Sequence, residues 1–174
     1  MNKKQELVMY AKIYKFMKKY QLAYDYGIRN LLWDLNIKLI TYEGMDFISF
    51  MAISEDAFSV YEKGSRYIFY NPFQPERRKN FTLAHELGHF LFEHHQKAGG
   101  DVLAFGDHGL MERQANIFAR NLLMPPKRTI EYLDVKTPRE LADIFEVSYQ
   151  MANIRLQTLD YDNKWLNFVK AKKF

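Results

Sequence analysis

The chain has 174 residues and a formal net charge of +4, and 48% of its residues are hydrophobic. This length and composition predict one folded domain, residues 1–174, with a substantial core and without disordered tracts. The absence of cysteine excludes disulfides, thiolate catalysis and cysteine-ligated metal sites. No apolar run approaches the roughly 20 residues that a membrane span needs, and lysines interrupt the N-terminal segment, so we expect a cytoplasmic protein without membrane attachment.

The positive charge is concentrated at the two ends of the chain. Six lysines lie within residues 1–20 and four within residues 162–174, whereas residues 21–161 carry a small net negative charge. A basic end can contact nucleic acid, but charge runs more often keep a terminal segment solvated. The ends alone therefore do not indicate a nucleic-acid partner.

The predicted elements begin with helices and continue with short strands. Apolar residues recur at helical spacing over residues 3–20, which predicts an N-terminal helix covering 1–20, and a second helix is predicted over about 23–35. The β-rich runs that follow are 37–42, 47–53, 58–61 and 67–70. Residues 62–65 contain Gly64 and predict a hairpin turn between the last two runs.

From Pro75 onward the pattern is helical almost to the end of the chain. The order is therefore helices, a small and mostly antiparallel sheet, and helices again. Such segregation of helices and strands is typical of an α+β fold.

A histidine pair with an intervening glutamate marks the first of these later helices. His85 and His89 are four residues apart and share one helical face, so their imidazoles can converge on one metal ion. Glu86 lies about 60° around the helix axis from His89, where it can face an attacking water without binding the metal. A zinc ion there would lower the pKa of water to roughly 7, and Glu86 would act as general base. Gly88, beside the histidine face, leaves room for another element to approach.

A catalytic zinc site needs a third protein ligand as well as one open position. Glu112 is the strongest candidate, because it begins a second amphipathic helix on which Asn116, one turn later, can support a metal ligand by hydrogen bonding. The alternatives are His95, six residues after the second motif histidine, and either His108 or Asp107 in a glycine-rich loop. Glu112 could also be a first-turn acid that interacts with the helix dipole, so spacing alone leaves the choice open.

Three segments of the chain together resemble one known family. They are residues 81–89 (FTLAHELGH), 112–119 (ERQANIFA) and 122–125 (LLMP), and the similarity covers roughly residues 65–160. This combination resembles the ImmA/IrrE family of metallo-endopeptidases, and it is much more specific than the H-E-x-x-H motif alone.

The resemblance implies a zincin-like fold in which one zinc ion per chain is bound by His85, His89 and Glu112. Glu86 would be the general base of this gluzincin-like site. The chain leaves no room after Phe174 for a C-terminal sensor domain, so we expect the short, ImmA-like branch. That branch implies a protein substrate, a helix-turn-helix repressor of a mobile element.

Residues 137–159 are predicted to form a helix-turn-helix-like pair. Residues 137–140 are a capping box with proline at the first helical position, and Ser148 can cap a second helix that ends near residue 159. Its polar side chains include one cation, Arg155. Because affinity for DNA comes mainly from phosphates paired with Lys and Arg, we interpret the pair as structural or as a docking face.

The sequence therefore predicts a zinc metallo-endopeptidase with Glu86 as its catalytic residue. The alternative is a regulator that binds DNA or a repressor and carries a non-catalytic metal site. Glu86 argues against this alternative, because a structural zinc site is closed by four protein ligands and needs no additional carboxylate.

Overall fold

The computed structural model describes residues 1–20, 27–43, 46–99, 102–103, 109–134 and 136–172. The helices are α1 (Lys3–Lys19), α2 (Ile28–Asp34), α3 (Phe47–Ile53), α4 (Glu76–Leu91), α5 (His94–Ala98), α6 (Gly109–Leu123), α7 (Pro126–Ile130), α8 (Pro138–Ile144) and α9 (Tyr149–Ala171). The strands are β1 (Ile37–Thr41), β2 (Ala57–Glu62), β3 (Ser65–Tyr70) and β4 (Val102–Leu103). The arrangement is α+β, as predicted.

The strands form one mixed sheet in the order β1-β3-β2-β4. β1 is parallel to β3, whereas β2 is antiparallel to both β3 and β4. Two of the three pairings are thus antiparallel. The predicted hairpin turn between β2 and β3 is confirmed: Lys63 and Gly64 both have positive φ, 48° and 83°, as a two-residue hairpin loop requires.

The prediction of a strand over residues 47–53 was wrong, because this segment is helix α3. The segment is apolar nearly throughout, and periodicity alone does not distinguish a buried strand from a helix in such a run. In the helix, Phe47 and Phe50 lie one turn apart and both contact the Tyr42 ring, with ring centroids 6.4 and 5.4 Å away. The start of the predicted helix over 23–35 falls partly outside the described residues, and α2 covers its second half.

Helix α4 occupies the centre of the fold. It begins directly after Pro75, as predicted, and it packs along α6 and against β2 and β3. Leu83, Ala84 and Leu87 on this helix belong to the main hydrophobic core. None of the described helices combines the length and the apolarity needed to cross a membrane.

A buried ionic network joins α1, α6 and α9. The Asp162 carboxylate, which is inaccessible to solvent, accepts a hydrogen bond from the Tyr10 hydroxyl at 2.5 Å. It also pairs with Arg120 Nε and with an Arg155 guanidinium nitrogen, each at 2.9 Å. Asn121 Nδ2 donates to the same carboxylate at 3.3 Å. The network fixes the N-terminal helix to the C-terminal one.

The C-terminal pair differs from the prediction at its far end. The capping box is present, since Thr137 accepts from the Glu140 backbone N–H and Glu140 accepts from that of Thr137. Helix α9, however, continues for 23 residues to Ala171 instead of ending near 159. Its second half packs on α1, where the Trp165 ring stacks on Tyr10 at 5.6 Å. Arg155 is fully buried, so this cation does not reach a partner molecule.

Candidate metal centre

The two motif histidines lie side by side near the end of α4. Their positions four residues apart place both rings on one face of the helix. His85 is 7% exposed and His89 is 3% exposed. Their Nε2 atoms are 2.9 Å apart. The imidazoles therefore present two nitrogen ligands to the same point.

Glu112, in the first turn of α6, supplies a carboxylate to the same point. One of its oxygens lies 3.1 Å from His85 Nε2, and the other lies 3.4 Å from His89 Nε2. Gly88 allows this approach, because a Cβ atom at that position would lie 3.0 Å from the Ala115 Cα atom of α6. The sequence predicted that Gly88, which has no side chain, would let another element approach. That element is α6.

The three groups fit a zinc ion. At zinc–ligand distances of 2.0–2.1 Å, tetrahedral geometry separates neighbouring ligand atoms by about 3.3 Å. The observed separations between the two Nε2 atoms and between these atoms and the Glu112 oxygens are 2.9, 3.1 and 3.4 Å. In addition, His85, Glu86 and His89 offer ligand atoms that all lie within 4.8 Å of one another. The two histidines, together with the carboxylates near them, could hold a metal ion.

Asn116 lies one turn after Glu112 and contacts the outer nitrogen of His85. The distance from His85 Nδ1 to Asn116 Oδ1 is 2.9 Å. Because an amide oxygen only accepts, Nδ1 carries a proton, and in the neutral ring Nε2 then keeps its lone pair for a ligand bond. The structure thus brings Asn116 to the position in which it can orient one imidazole.

Glu86 is buried beside this group, with 4% of its surface exposed. Burial raises the pKa of its carboxyl, whereas the His85 charge and a contact with Ser59 on β2 lower it. That contact lies outside ordinary hydrogen-bond geometry, since the Ser59 hydroxyl has no hydrogen-bond partner among the described residues. The upward direction of the pKa gives Glu86 a greater affinity for protons than an ordinary glutamate has.

The same charges act on His85. Burial lowers the pKa of this imidazole, but the contact with Glu112 and the charges of Glu86 and Glu112 outweigh burial and raise it. A metal ion binds only to the neutral ring, so metal and protons compete for His85.

A comparison with known families supports this interpretation. Residues 43–157 match the model of the Peptidase M78 family, which is described as the IrrE N-terminal-like domain, and the match spans about two thirds of the chain. The chain belongs to the Peptidase M78 family. The predicted relationship to the ImmA/IrrE peptidases is thereby confirmed. Comparisons with curated proteins and with solved structures gave no significant match.

The alternative ligands of this M78 chain have different positions. His95 is buried, but its ring stacks on Phe90 with the centroids 4.8 Å apart and the planes 11° from parallel. His108 and Asp107 lie outside the described residues. Of the candidates that the structure describes, Glu112 is the one in contact with both motif histidines.

His94 was not among the site residues predicted from the sequence. This fully buried residue places its Nδ1 atom 3.0 Å from His89 Nδ1 and its Nε2 atom 3.0 Å from Gln114 Oε1 on α6. Burial lowers the pKa of His94 to about 4, so the ring is neutral at neutral pH. Glu93 reverses the chain in the left-handed conformation, with φ of 59°. No local sequence pattern predicts this turn for a glutamate.

Proposed function

We propose that this M78 chain is a zinc-dependent endopeptidase in which His85, His89 and Glu112 bind one zinc ion. The observation that carries the proposal is the convergence of two buried imidazole nitrogens and a carboxylate to within 3.4 Å of one another. A third carboxyl or imidazole ligand with one open position is typical of catalytic zinc sites. Membership of a peptidase family supports hydrolysis of a peptide bond.

Glu86 is the proposed general base. It is adjacent in sequence to one ligand, it is buried, and its pKa is raised, so its carboxylate can take a proton from the attacking water. The same carboxyl then passes the proton to the nitrogen of the leaving amine. Zinc, when bound, supplies Lewis-acid activation of the water and of the scissile carbonyl.

Asn116 and the two histidines prepare the site. The hydrogen bond from His85 Nδ1 to Asn116 Oδ1 keeps the ring oriented and directs its bare Nε2 toward the ion. Such outer partners raise ligand basicity and fix ring orientation. The proposed role of Asn116 is therefore to support His85 and not to bind the metal.

The proposed substrate is a helix-turn-helix repressor of a mobile element, cleaved in the cytoplasm. This part of the proposal depends on the resemblance to ImmA-type peptidases. A chain without cysteine is compatible with a reducing compartment.

The alternative, a regulator that binds DNA through the C-terminal pair, receives little support. Arg155 is the one cation between 149 and 159, and it is fully buried against Asp162. Phosphate contacts supply most non-specific affinity for DNA, so we expect no tight binding of nucleic acid at physiological salt. A gel-shift titration tests this, and sub-micromolar, sequence-specific binding would favour the regulator.

The decisive experiment uses Glu86→Gln. The variant should bind zinc like the wild type but lose cleavage by at least a hundredfold, which is the contribution of a general base. The assay incubates the protein with the helix-turn-helix repressor encoded beside its gene and follows discrete fragments. Glu76→Gln, an exposed carboxylate on the same helix, is the matched control. Cleavage by Glu86→Gln at the wild-type rate would contradict the mechanism.

A further inference from the structure

A chain of hydrogen bonds runs behind the metal centre from α6 to His89. Gln114 Oε1 lies 3.0 Å from His94 Nε2, and His94 Nδ1 lies 3.0 Å from His89 Nδ1. The opposite nitrogen of His89, Nε2, faces His85 and Glu112. His89 therefore contacts the centre with one nitrogen and His94 with the other.

The chemistry of the groups fixes the direction of this chain. An amide oxygen only accepts hydrogen bonds, so His94 Nε2 carries the proton that is donated to Gln114. The neutral His94 ring has one N–H, at Nε2, and its Nδ1 is therefore an acceptor. His89 must then donate from Nδ1, and in the neutral His89 ring this leaves Nε2 without a proton. This is the tautomer that can bind a metal through Nε2.

The surroundings hold His94 in this orientation. The residue has no exposed surface, and its ring stacks on Phe92 with the centroids 5.6 Å apart. The left-handed turn at Glu93 brings α5 back beneath the end of α4. Lys97 on α5 donates to the Phe92 carbonyl and closes this turn. A rigid support of this kind fixes the ring plane of His89 and the nitrogen that carries its proton.

We propose that His94, supported by Gln114, is a positioning residue that selects the metal-binding tautomer of His89. The inference rests on the proposed function, because it assumes that His89 binds zinc. It makes His94 the counterpart of Asn116. Each motif histidine then has its own acceptor, an amide for His85 and an imidazole for His89.

Three variants separate positioning from simple packing. His94→Leu fills the position with an apolar side chain of moderate size and removes both the acceptor to His89 and the donor to Gln114. His94→Gln keeps both functions, because its amide oxygen can accept from His89 and its amide nitrogen can donate to Gln114. His95→Leu, at the neighbouring buried histidine that stacks on Phe90, is the matched control.

The first measurement is Zn²⁺ affinity, determined by competition with a chromophoric chelator. Loss of such an outer partner typically weakens metal binding by 10- to 100-fold. We expect this loss in His94→Leu, recovery to within a fewfold of the wild type in His94→Gln, and little change in His95→Leu. Circular dichroism and thermal melting of the metal-free proteins show whether each variant is folded.

The second measurement reads the tautomer directly and does not require activity. In ¹⁵N-histidine NMR spectra of the metal-free protein, His89 should be protonated at Nδ1 in the wild type and in His94→Gln. In His94→Leu the proton should be distributed between the two nitrogens. A single Nδ1–H tautomer in all three proteins would overturn the inference, even if His94→Leu bound zinc weakly.

The outcomes distinguish this inference from the proposed function. Unchanged zinc affinity in His94→Leu, together with a loss in His85→Ala, would overturn the positioning role alone. Zinc binding that survived His85→Ala would overturn the proposed function, and the inference with it. Equal losses in His94→Leu and His94→Gln would indicate packing and would also overturn the inference.

Discussion

Helix α6 carries a buried polar cluster at each end, and the two clusters differ in their balance of hydrogen-bond donors and acceptors. At its N-terminal end, Glu112 joins the two motif histidines, which lie close to a second carboxylate, Glu86. At its C-terminal end, Arg120 and Asn121 join the network around Asp162. Each cluster joins side chains from different helices, and each contains groups that are costly to bury.

The candidate metal centre is rich in acceptors, whereas the Asp162 network is rich in donors. In the first cluster, two carboxylates and two bare imidazole nitrogens point toward one volume, which favours a cation. In the second, one carboxylate is surrounded by two guanidinium groups, a phenol and an amide. An acceptor-rich cluster can bind a metal ion, but a carboxylate that is saturated with donors can only hold helices together.

Removing a ligand from the acceptor-rich cluster should have the largest effect. A structural zinc site with four ligands is worth about 10–16 kcal/mol, or about 2.5–4 kcal/mol per ligand, so His89→Ala should weaken zinc binding by roughly a hundred- to a thousandfold. Metal content after dialysis against a chelator measures this loss. His95→Ala is the control and should retain its metal. Full retention of zinc in His89→Ala would remove the basis of the site.

Removing the carboxylate from the donor-rich cluster should lower stability and leave zinc binding intact. Asp162→Asn leaves the buried Arg155 uncompensated, which should reduce the free energy of unfolding by about 3 kcal/mol. Urea denaturation measures this reduction in the free energy of unfolding. Asp160→Asn, an exposed position on the same helix, should change little. Glu112→Gln should show the reverse behaviour: weak zinc binding and a nearly unchanged stability of the metal-free protein. If Asp162→Asn and Glu112→Gln changed zinc affinity and stability to the same extent, the comparison would be refuted.

The helix crossing itself can be tested at Gly88. In Gly88→Ala, the new Cβ atom would lie 3.0 Å from the Ala115 Cα atom, so α4 and α6 must move apart. Overpacking of this kind costs about 1–3 kcal/mol, and zinc affinity should fall as Glu112 moves away from the histidines. Gly109→Ala, where an added Cβ meets nothing within 4 Å, is the control. Equal melting temperatures for the two variants would contradict the close crossing.

The smallest effect should be the dependence of the Asp162 network on alkaline pH. Burial, and then the charge of Asp162, raise the pKa of Tyr10 above its usual value of 10.0. The unfolded chain therefore releases the phenolic proton first, and stability should fall as pH rises above 10, by at most about 1.4 kcal/mol per pH unit. Tyr10→Phe should lose this component of the slope, whereas the exposed Tyr149→Phe should keep it. Identical slopes in urea denaturation series for both variants would exclude Tyr10 as the titrating group.

Local patterns predicted much of the fold and the residues of the centre. The helical spacing of apolar residues located α1, α4 and α6, and the residues of the 62–65 turn predicted the β2–β3 hairpin. His85, Glu86 and His89 follow from a motif whose spacing has a direct geometrical reason. Glu112 could be selected from spacing only as one of several candidates, because its approach depends on how α4 crosses α6.

The features that sequence analysis missed are those that depend on distant contacts. The helical form of segment 47–53 depends on distant aromatic side chains: Phe47 packs on Tyr42, and Phe50 packs on Phe58 of β2 and Phe69 of β3. Nothing near His94 in the sequence indicates that Glu93 adopts a left-handed turn. Arg155 resembled an exposed cation, since its burial requires Asp162 and the packing of α9 on α1.

The contact between Tyr10 and Asp162 links residues that are 152 positions apart, and this separation affects the order of events during synthesis. At 5–20 residues per second, the ribosome needs about 8–30 s to add the chain between them. Through that interval the apolar face of α1 lacks α9, its main partner. The two helices that carry the candidate metal ligands are complete once Leu123 has been added, which is before Asp162 is reached. The nascent chain can therefore bring together the two helices of the candidate metal centre before its two ends meet, and the exposed apolar face of α1 is the part that is open to aggregation in the meantime.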